Sequence, residues 1–418
     1  MIALAALAVA LSTIGVAQAV AGWVMVRRFV ARVTTLGPAA AESISVLKPL
    51  HGDEPLLEEA LASICQQDFP VWQVVFGVSD PGDTALAVVT RLEARFPHCD
   101  ITVVVDRTAH GRNPKVSNLI NMLPAAKHDM LVIADSDLHV APGYLRRLAV
   151  ALARPGTGLV TTLYTGLPPP QPAPASRERG FAANLPLPRS GGGLGWGHSL
   201  PGILGAAQIN QYFLPGALLA RAMGRQDCLG ATMALRRSTL ERIGGLAALV
   251  DHLADDNVLG RLVQQLGLAV ALADTVPSTT VPEATFSALW RHELRWARTI
   301  RTLVPVQFAA SALQYPLAWA ALAALTTRGA AWTLAWLAIA WTVRAIVAHG
   351  VGRALGLAPE RGPGHAFGSL LWLLPLRELM SVAVIAASYA GREVDWRGER
   401  LEADTPNLAG PREELNPR

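Results

Sequence analysis

Met130–Val140 reads MLVIADSDLHV. Leu131, Val132, Ile133 and Ala134 form a short continuous apolar run, the pattern of a strand buried on both faces of a parallel sheet. The run leads directly into Asp135-Ser136-Asp137. Ligands of open α/β sheets bind beyond the carboxyl ends of the strands, where these carboxylates fall. Side chains two apart on an extended chain point the same way, so Asp135 and Asp137 can reach one hard cation. An acidic turn capping a helix that begins near Pro142 accounts for the same residues. The pattern alone leaves both readings open.

On either side of this stretch, from Ser43 to about Leu272, apolar runs alternate with amphipathic segments. That alternation predicts an α/β domain with a mainly parallel sheet. Strands are expected at Ile44–Leu47, Gln73–Val78, Ile101–Val105, Leu131–Ala134 and Gly158–Thr162, with sheet pattern resuming over Gly230–Arg237. Helices are expected over Leu56–Cys65, Thr84–Phe96 and Pro142–Ala153. Residues 167–202 break the pattern with proline-rich and then glycine-rich sequence, which reads as a flexible insertion carrying no chemistry. Residues 203–223 are apolar with Gln208, Asn210 and Gln211 on one side, the composition of an interfacial helix lying against a bilayer. A turn at Gly244-Gly245 precedes the acidic group Asp251, Asp255 and Asp256.

Both ends of the chain carry membrane signals. The 418 residues are 51% hydrophobic, with a mean hydropathy of +0.31. Residues 1–26 contain no charge and are followed by Arg27, Arg28 and Arg32. Basic residues after an apolar run, not before it, point to a retained transmembrane anchor with the next domain in the cytoplasm. Apolar runs at 303–326, 330–350 and 366–389 each approach spanning length, giving about three C-terminal transmembrane helices within 303–389 and a tail at 390–418. Arg377-Glu378 lies inside the last run, where ionised groups face a partner or a polar cavity. The 36 basic residues are dispersed around apolar runs, and the formal charge is only +4, which suits a membrane surface and excludes a nucleic-acid binder. Three cysteines without a C-x-x-C pair offer neither a disulfide framework nor a zinc site.

Four features then line up along residues 43–301. Ser79-Asp80 ends the second expected strand, Asp135 and Asp137 end the fourth, Ala254-Asp255-Asp256 follows, and His292-Glu293-Leu294-Arg295-Trp296 precedes the membrane runs. Together with Val46-Leu47-Lys48-Pro49-Leu50 and Asn113-Pro114-Lys115 plus Asn118, they resemble the ceramide glucosyltransferase family, glycosyltransferase family 21. That family has three spaced aspartates and a closing (Q/R)-x-x-R-W motif. HLADDNVLG (252–260) and HELRWARTIR (292–301) are most similar to its hopanoid-associated branch. His292 departs from the motif's Gln or Arg.

The resemblance implies a GT-A nucleotide-sugar glycosyltransferase domain at 43–301 that is inverting and bound to the membrane. It implies Asp256 as general base, with Asp255 capping or orienting beside it. Lys48, Asp80, Lys115, Asn118, Asp135 and Arg295 would bind the nucleotide sugar. His292, Arg295 and Trp296 would serve the acceptor side, and Asp135 and Asp137 a divalent cation, Mg2+ or Mn2+. The expected donor is a UDP-sugar, UDP-N-acetylglucosamine first. The expected acceptor is a lipid hydroxyl, bacteriohopanetetrol first, with ceramide and UDP-glucose the alternative. The expected location is a bacterial-type inner membrane, multi-pass, with the catalytic domain cytoplasmic. A processive polysaccharide synthase would need more spans than three C-terminal runs provide, and a non-enzymatic membrane protein would leave the strand-end aspartates unexplained.

Overall fold

The computed structural model describes residues 1–32, 42–169, 199–357, 363–391, 393–396 and 399–402. The insertion expected at 167–202 and the C-terminal tail fall largely outside the described residues. The first helix, α1 (Ile2–Val30), is followed by β1 (Ile44–Pro49), α2 (Leu57–Cys65), β2 (Trp72–Val78), α3 (Ala85–Arg95), β3 (Asp100–Val105), α4 (Pro114–Met122), β4 (Met130–Ala134), β5 (Leu138–His139), α5 (Tyr144–Leu152), β6 (Thr157–Thr161) and β7 (Thr165–Leu167). After residue 198 come α6 (Leu200–Gln208), a π-helical turn at Ile209–Phe213, α7 (Leu214–Ala222), β8 (Thr232–Arg236), α8 (Arg237–Arg242), α9 (Asp255–Gln265), β9 (Ala269–Leu272) and β10 (Ser278–Thr280).

Seven strands form one sheet in the order β3-β2-β1-β4-β8-β6-β9. It is mainly parallel, and β8 runs antiparallel to both of its neighbours. Every residue of β4 is buried, as its unbroken apolar run requires. The chain leaves β1 for β2 and β3 on one side and returns to β4 on the other. The carboxyl ends of β1 and β4 therefore flank the point where strand order reverses, which opens a crevice. Lys48 is the last residue but one of β1, and Asp135 follows β4. A second, three-stranded sheet, β5-β10-β7, begins immediately after Asp137. Its strands of two or three residues carry no period that could be read from sequence.

The rest is helical: α10 (Phe286–Leu303), α11 (Pro305–Ala310), α12 (Pro316–Thr326), α13 (Ala331–Ala354) and α14 (Pro363–Ser388), then the hairpin β11 (Glu393–Trp396) and β12 (Glu399–Glu402). Among the described residues, α1 and α13 are long and apolar enough to cross a membrane. The run expected at 303–326 is not one straight helix: its two halves, 305–314 and 316–326, meet at 70°. The cause is Pro316, which has no N–H to continue the first half and forces Tyr315 out of helical geometry, at φ −111° and ψ 69°. Counted as one broken span, the pair makes a third crossing. The apolar stretch at 203–223 is likewise broken, with the π-turn ahead of Pro215. Leu214 and Leu218 of α7 pack with Val26 and Phe29 of α1 and with Val347 and Val351 of α13. This stretch therefore joins the helical layer to the α/β domain.

Charged residues inside the helical layer are matched in pairs. Arg377 and Glu378 do not pair with each other. Adjacent residues on a helix point about 100° apart, so each needs its own partner. Arg377 makes a two-pronged ion pair with Glu293 of α10, at 2.7 and 2.6 Å. Glu378 meets Arg344 of α13 at 3.3 Å and accepts the Tyr212 hydroxyl at 3.2 Å. Its other oxygen takes the Leu317 N–H at 2.6 Å, capping α12 where Pro316 leaves donors free.

Candidate active site

The carboxylates of the crevice come from two places. Asp135 and Asp137 follow β4, and Asp255 and Asp256 open α9. Neither member of the first pair caps α5, whose N-cap is Gly143 without a side-chain bond. That removes the helix-cap reading of Asp135-Ser136-Asp137.

Lys115 ties the two pairs together. It enters from the first turn of α4, which begins at Pro114 and is capped by the Asn113 side chain bonding the Val116 N–H at 3.0 Å. Its ammonium lies 2.7 Å from Asp135 Oδ1 and 3.9 Å from Asp255 Oδ2. Burial lowers the Lys115 pKa, but the charges of Asp135 and Asp255 outweigh it and leave the group raised. Lys48 is only 1% exposed and donates to the Asp135 main-chain carbonyl at 2.8 Å. Burial drives its pKa down to about 8 against the pull of Asp137 and Asp135. Through that bond Lys48 holds the Asp135 main chain in place.

Asp137 accepts the Thr279 hydroxyl at 2.5 Å, from β10. Burial and then the Asp135 charge push its carboxyl up to about 7. Ser136 between them donates to Glu54 at 2.7 Å, a carboxylate that sequence reasoning missed. Asp256 is half-buried, and burial followed by the Asp255 charge also brings it to about 7. Its carboxylate rests against Gly230, where a side-chain carbon would stand 3.1 Å from Asp256 Oδ2, so a larger residue would crowd it. Asp255 is raised by burial and opposed by Lys115. It stands inside the first turn of α9 and faces Lys115, while the N-cap position belongs to Ala254, without a side-chain cap.

The remaining expected residues lie around this centre. Asp80 is an exposed residue just beyond β2, holding the Gly82 N–H at 2.9 Å and the Arg107 guanidinium at 2.7 Å, which together lower its pKa. Arg107 had no signal in the sequence, because the ion pair joins loops after neighbouring strands. Asn118 is buried and donates to the Gly77 carbonyl at 2.8 Å, with Gly77 leaving the space its side chain needs. The loop before α4 is anchored to the loop before α9 by Arg112 N–H on Asp251, at 3.0 Å, and by Asn113 on the His252 carbonyl, at 2.8 Å. These bonds fix Lys115 relative to Asp255 and Asp256.

His292, Arg295 and Trp296 share one face of α10 through their three- and four-residue spacing. The rings of His292 and Trp296 meet edge to face, 4.7 Å between centroids. His292 Nδ1 bonds to Glu283, which no sequence pattern had pointed to.

Among the described residues, no group of three or more His, Cys, Asp or Glu is arranged to hold a metal ion. The donor set nevertheless fits a Mg2+-like cation, which commonly takes one or two carboxylates and completes its shell with substrate phosphates and water. Asp135 and Asp137 are hard oxygen donors two residues apart, and burial and then the Asp135 charge raise Asp137.

The family profile "Glycosyl transferase family 21" matches residues 2–181 and 195–409. A ceramide glucosyltransferase of Komagataella phaffii is 31% identical over 134 residues, which is 31% of this chain and 26% of that protein. Ceramide glucosyltransferase 1 of Caenorhabditis elegans is 20% identical over 264 residues, 63% of this chain and 50% of that one. The chain thus spans half or less of the length of these curated relatives. Among solved structures, a mannosyltransferase from Pyrobaculum calidifontis in complex with GDP-Man and Mn2+ is similar at 21% identity, covering 91% of this chain and 99% of the other with a TM-score of 0.47. With its family profile matched from the first helix through the last, the chain belongs to glycosyl transferase family 21.

Proposed function

We propose that this chain is a membrane-bound, inverting glycosyltransferase that moves a sugar from a UDP-sugar to a lipid hydroxyl. The observation that carries the reading is the meeting of Asp135 with Asp255 and Asp256 around Lys115 in the strand-reversal crevice, with Asp137 beside Asp135. One carboxylate pair handles the donor and the other handles the acceptor.

The acceptor hydroxyl must lose its proton as its oxygen attacks the anomeric carbon. Asp256, with a carboxyl near 7, is matched to taking that proton at neutral pH. Attack from the face opposite the diphosphate inverts the configuration. As the bond to the anomeric carbon breaks, negative charge grows on UDP, and Lys115 and Arg295 would stabilise it. Asp135 and Asp137 would hold a divalent cation, which when bound supplies further charge stabilisation for the diphosphate. Asp80 would contact the nucleoside, with Arg107 holding its carboxylate in place. Trp296 offers an indole face to the acceptor, with His292 braced against it. Asn118, bonded to Gly77, would support the nucleotide loop from beneath.

The proposed donor is UDP-N-acetylglucosamine and the proposed acceptor bacteriohopanetetrol. Their support is the resemblance of residues 252–260 and 292–301 to the hopanoid-associated branch. UDP-glucose with ceramide is the second reading, favoured by the names of the curated relatives. The proposed setting is a bacterial-type inner membrane crossed by α1 and C-terminal helices, with the sugar-transfer domain on the cytoplasmic side. The test is UDP release by membranes carrying the chain, with each donor and acceptor pair in turn. UDP release that needs a lipid and vanishes in Asp256→Asn supports the reading. Release that ignores every lipid refutes it.

A further inference from the structure

A second polar site lies outside the carboxylate crevice, where the α/β domain meets the helical layer. Glu283 follows β10 by three residues and is 8% exposed. One of its oxygens meets His292 Nδ1. Its other oxygen, Oε2, is buried without a hydrogen-bond partner among the described residues, and so is His292 Nε2. A carboxylate only accepts hydrogen bonds, so Nδ1 carries a proton, and in the neutral ring Nε2 then presents a lone pair. The dyad therefore displays two buried acceptors at once. Leaving both unfilled is costly, so such groups mark a place for a ligand or ordered water.

The site is fixed from both sides. On the domain side, the Thr280 N–H of β10 bonds the Asp137 carbonyl at 3.2 Å, and the Glu283 carbonyl accepts the Ser199 hydroxyl at 3.2 Å. On the helical side, His292 packs edge-on against Trp296, and the next residue, Glu293, is held by Arg377. Such a site would receive the part of an acceptor that projects from the membrane toward the crevice.

We propose that Glu283 and His292 form a subsite for hydroxyl groups of the acceptor other than the one that reacts. The ligand class is a lipid with a polyhydroxylated headgroup, since each hydroxyl beyond the reacting one can donate to one of the orphaned acceptors. Glu283 is a positioning residue that fixes the imidazole, and His292 Nε2 contacts the headgroup. This inference rests on the lipid-acceptor reading above.

The test compares two probes in detergent with UDP-N-acetylglucosamine and with UDP-glucose: 1-O-hexadecylglycerol, with two hydroxyls, and hexadecanol, with one. The intact protein is expected to prefer the diol by roughly tenfold or more in kcat/KM, the scale seen when a buried polar site loses its hydrogen-bonding partner. His292→Phe keeps the ring against Trp296 and removes both nitrogens. Glu283→Gln keeps the shape and changes the charge. In both variants the diol preference should collapse toward unity through a raised KM for the diol, with UDP binding by calorimetry retained. A His292→Phe protein that keeps the full preference would overturn the subsite. So would a loss of UDP binding with an unchanged diol KM, which would assign the dyad to the donor. Equal use of both probes by the intact protein refutes the subsite alone, whereas transfer to neither probe nor to bacteriohopanetetrol or ceramide refutes the lipid-acceptor reading with it.

Discussion

Two regions of this molecule bury charge in opposite ways. In the helical layer Glu293 and Glu378 face Arg377 and Arg344, one cation for each anion, and hydrogen bonds occupy most of the remaining atoms. In the crevice Asp135, Asp255 and Asp256 gather around Lys115, Asp137 stands beside Asp135, and Lys48 is directed at a backbone carbonyl. Matched charge holds helices together at fixed positions. Unmatched charge of one sign, kept on rigid strand and helix ends, is destabilising on its own and is retained where a ligand will complete it. The first region is architecture and the second is a site.

The contrast can be broken most severely from the matched side. Arg377→Ala leaves Glu293 buried and unpaired, which costs about 3–5 kcal/mol by the usual behaviour of such pairs. The expected outcome is loss of folded protein from the membrane fraction, read by a thermal-shift assay in detergent. Replacing Arg344 and Glu378 together by Met should be far milder than either alone, and a double variant as unstable as the sum of the singles would show that the pair is not coupled. On the unmatched side, Asp135→Ala should abolish transfer while lowering the melting temperature less than Arg377→Ala does, because it breaks the Lys115 ion pair but also relieves the repulsion on Asp137. Asp137→Ala should weaken the dependence on divalent cation. Turnover that persists undiminished in a strong chelator would remove the cation from the account.

The pH dependence gives a smaller effect with a definite sign. Burial and Asp255 raise Asp256 to about 7, so its base form is lost as pH falls through that value, and turnover should decline on the acid side of neutrality. Asp255→Asn removes the neighbouring negative charge, so the acid limb should move to lower pH. A limb that stays in place would mean that another group sets it. The smallest effect is expected from deleting residues 170–198, whose proline- and glycine-rich composition cannot build a core; turnover should stay near that of the full chain.

How far the sequence discloses this arrangement follows from range. The run Leu131–Ala134 before Asp135 is a local signal, and the structure places β4 at Met130–Ala134. The strand pattern around it is similarly local. Helices α2, α3 and α5 start within two residues of expectation, because amphipathic period and turn chemistry act over a few residues. The three-stranded sheet that carries Thr279 is too short to have a period. Glu54 and Arg107 reach the crevice, and Glu283 reaches His292, through contacts across the fold that no spacing encodes. Lys48 shows the opposite case: its position was legible, but only its burial reveals that it supports Asp135 from below. The apolar length of the run at 303–326 concealed the bend that Pro316 makes within it.

The central claim is that Asp256, and not its neighbour, takes the acceptor proton. Asp256→Asn keeps the shape of the side chain and removes the proton acceptor. Asp255→Asn changes the residue that faces Lys115 at 3.9 Å. UDP-sugar affinity and turnover are to be measured for both variants in one preparation. Asp256→Asn should bind the UDP-sugar like the unaltered chain while turnover falls by about 10²–10⁴-fold, the range that general-base catalysis supplies. Asp255→Asn should retain a large part of its turnover. If Asp255→Asn is the inactive variant and Asp256→Asn turns over normally, the base is assigned to the wrong residue; if both lose UDP-sugar binding, the α9 carboxylates belong to the donor site and the division of the crevice into two pairs fails.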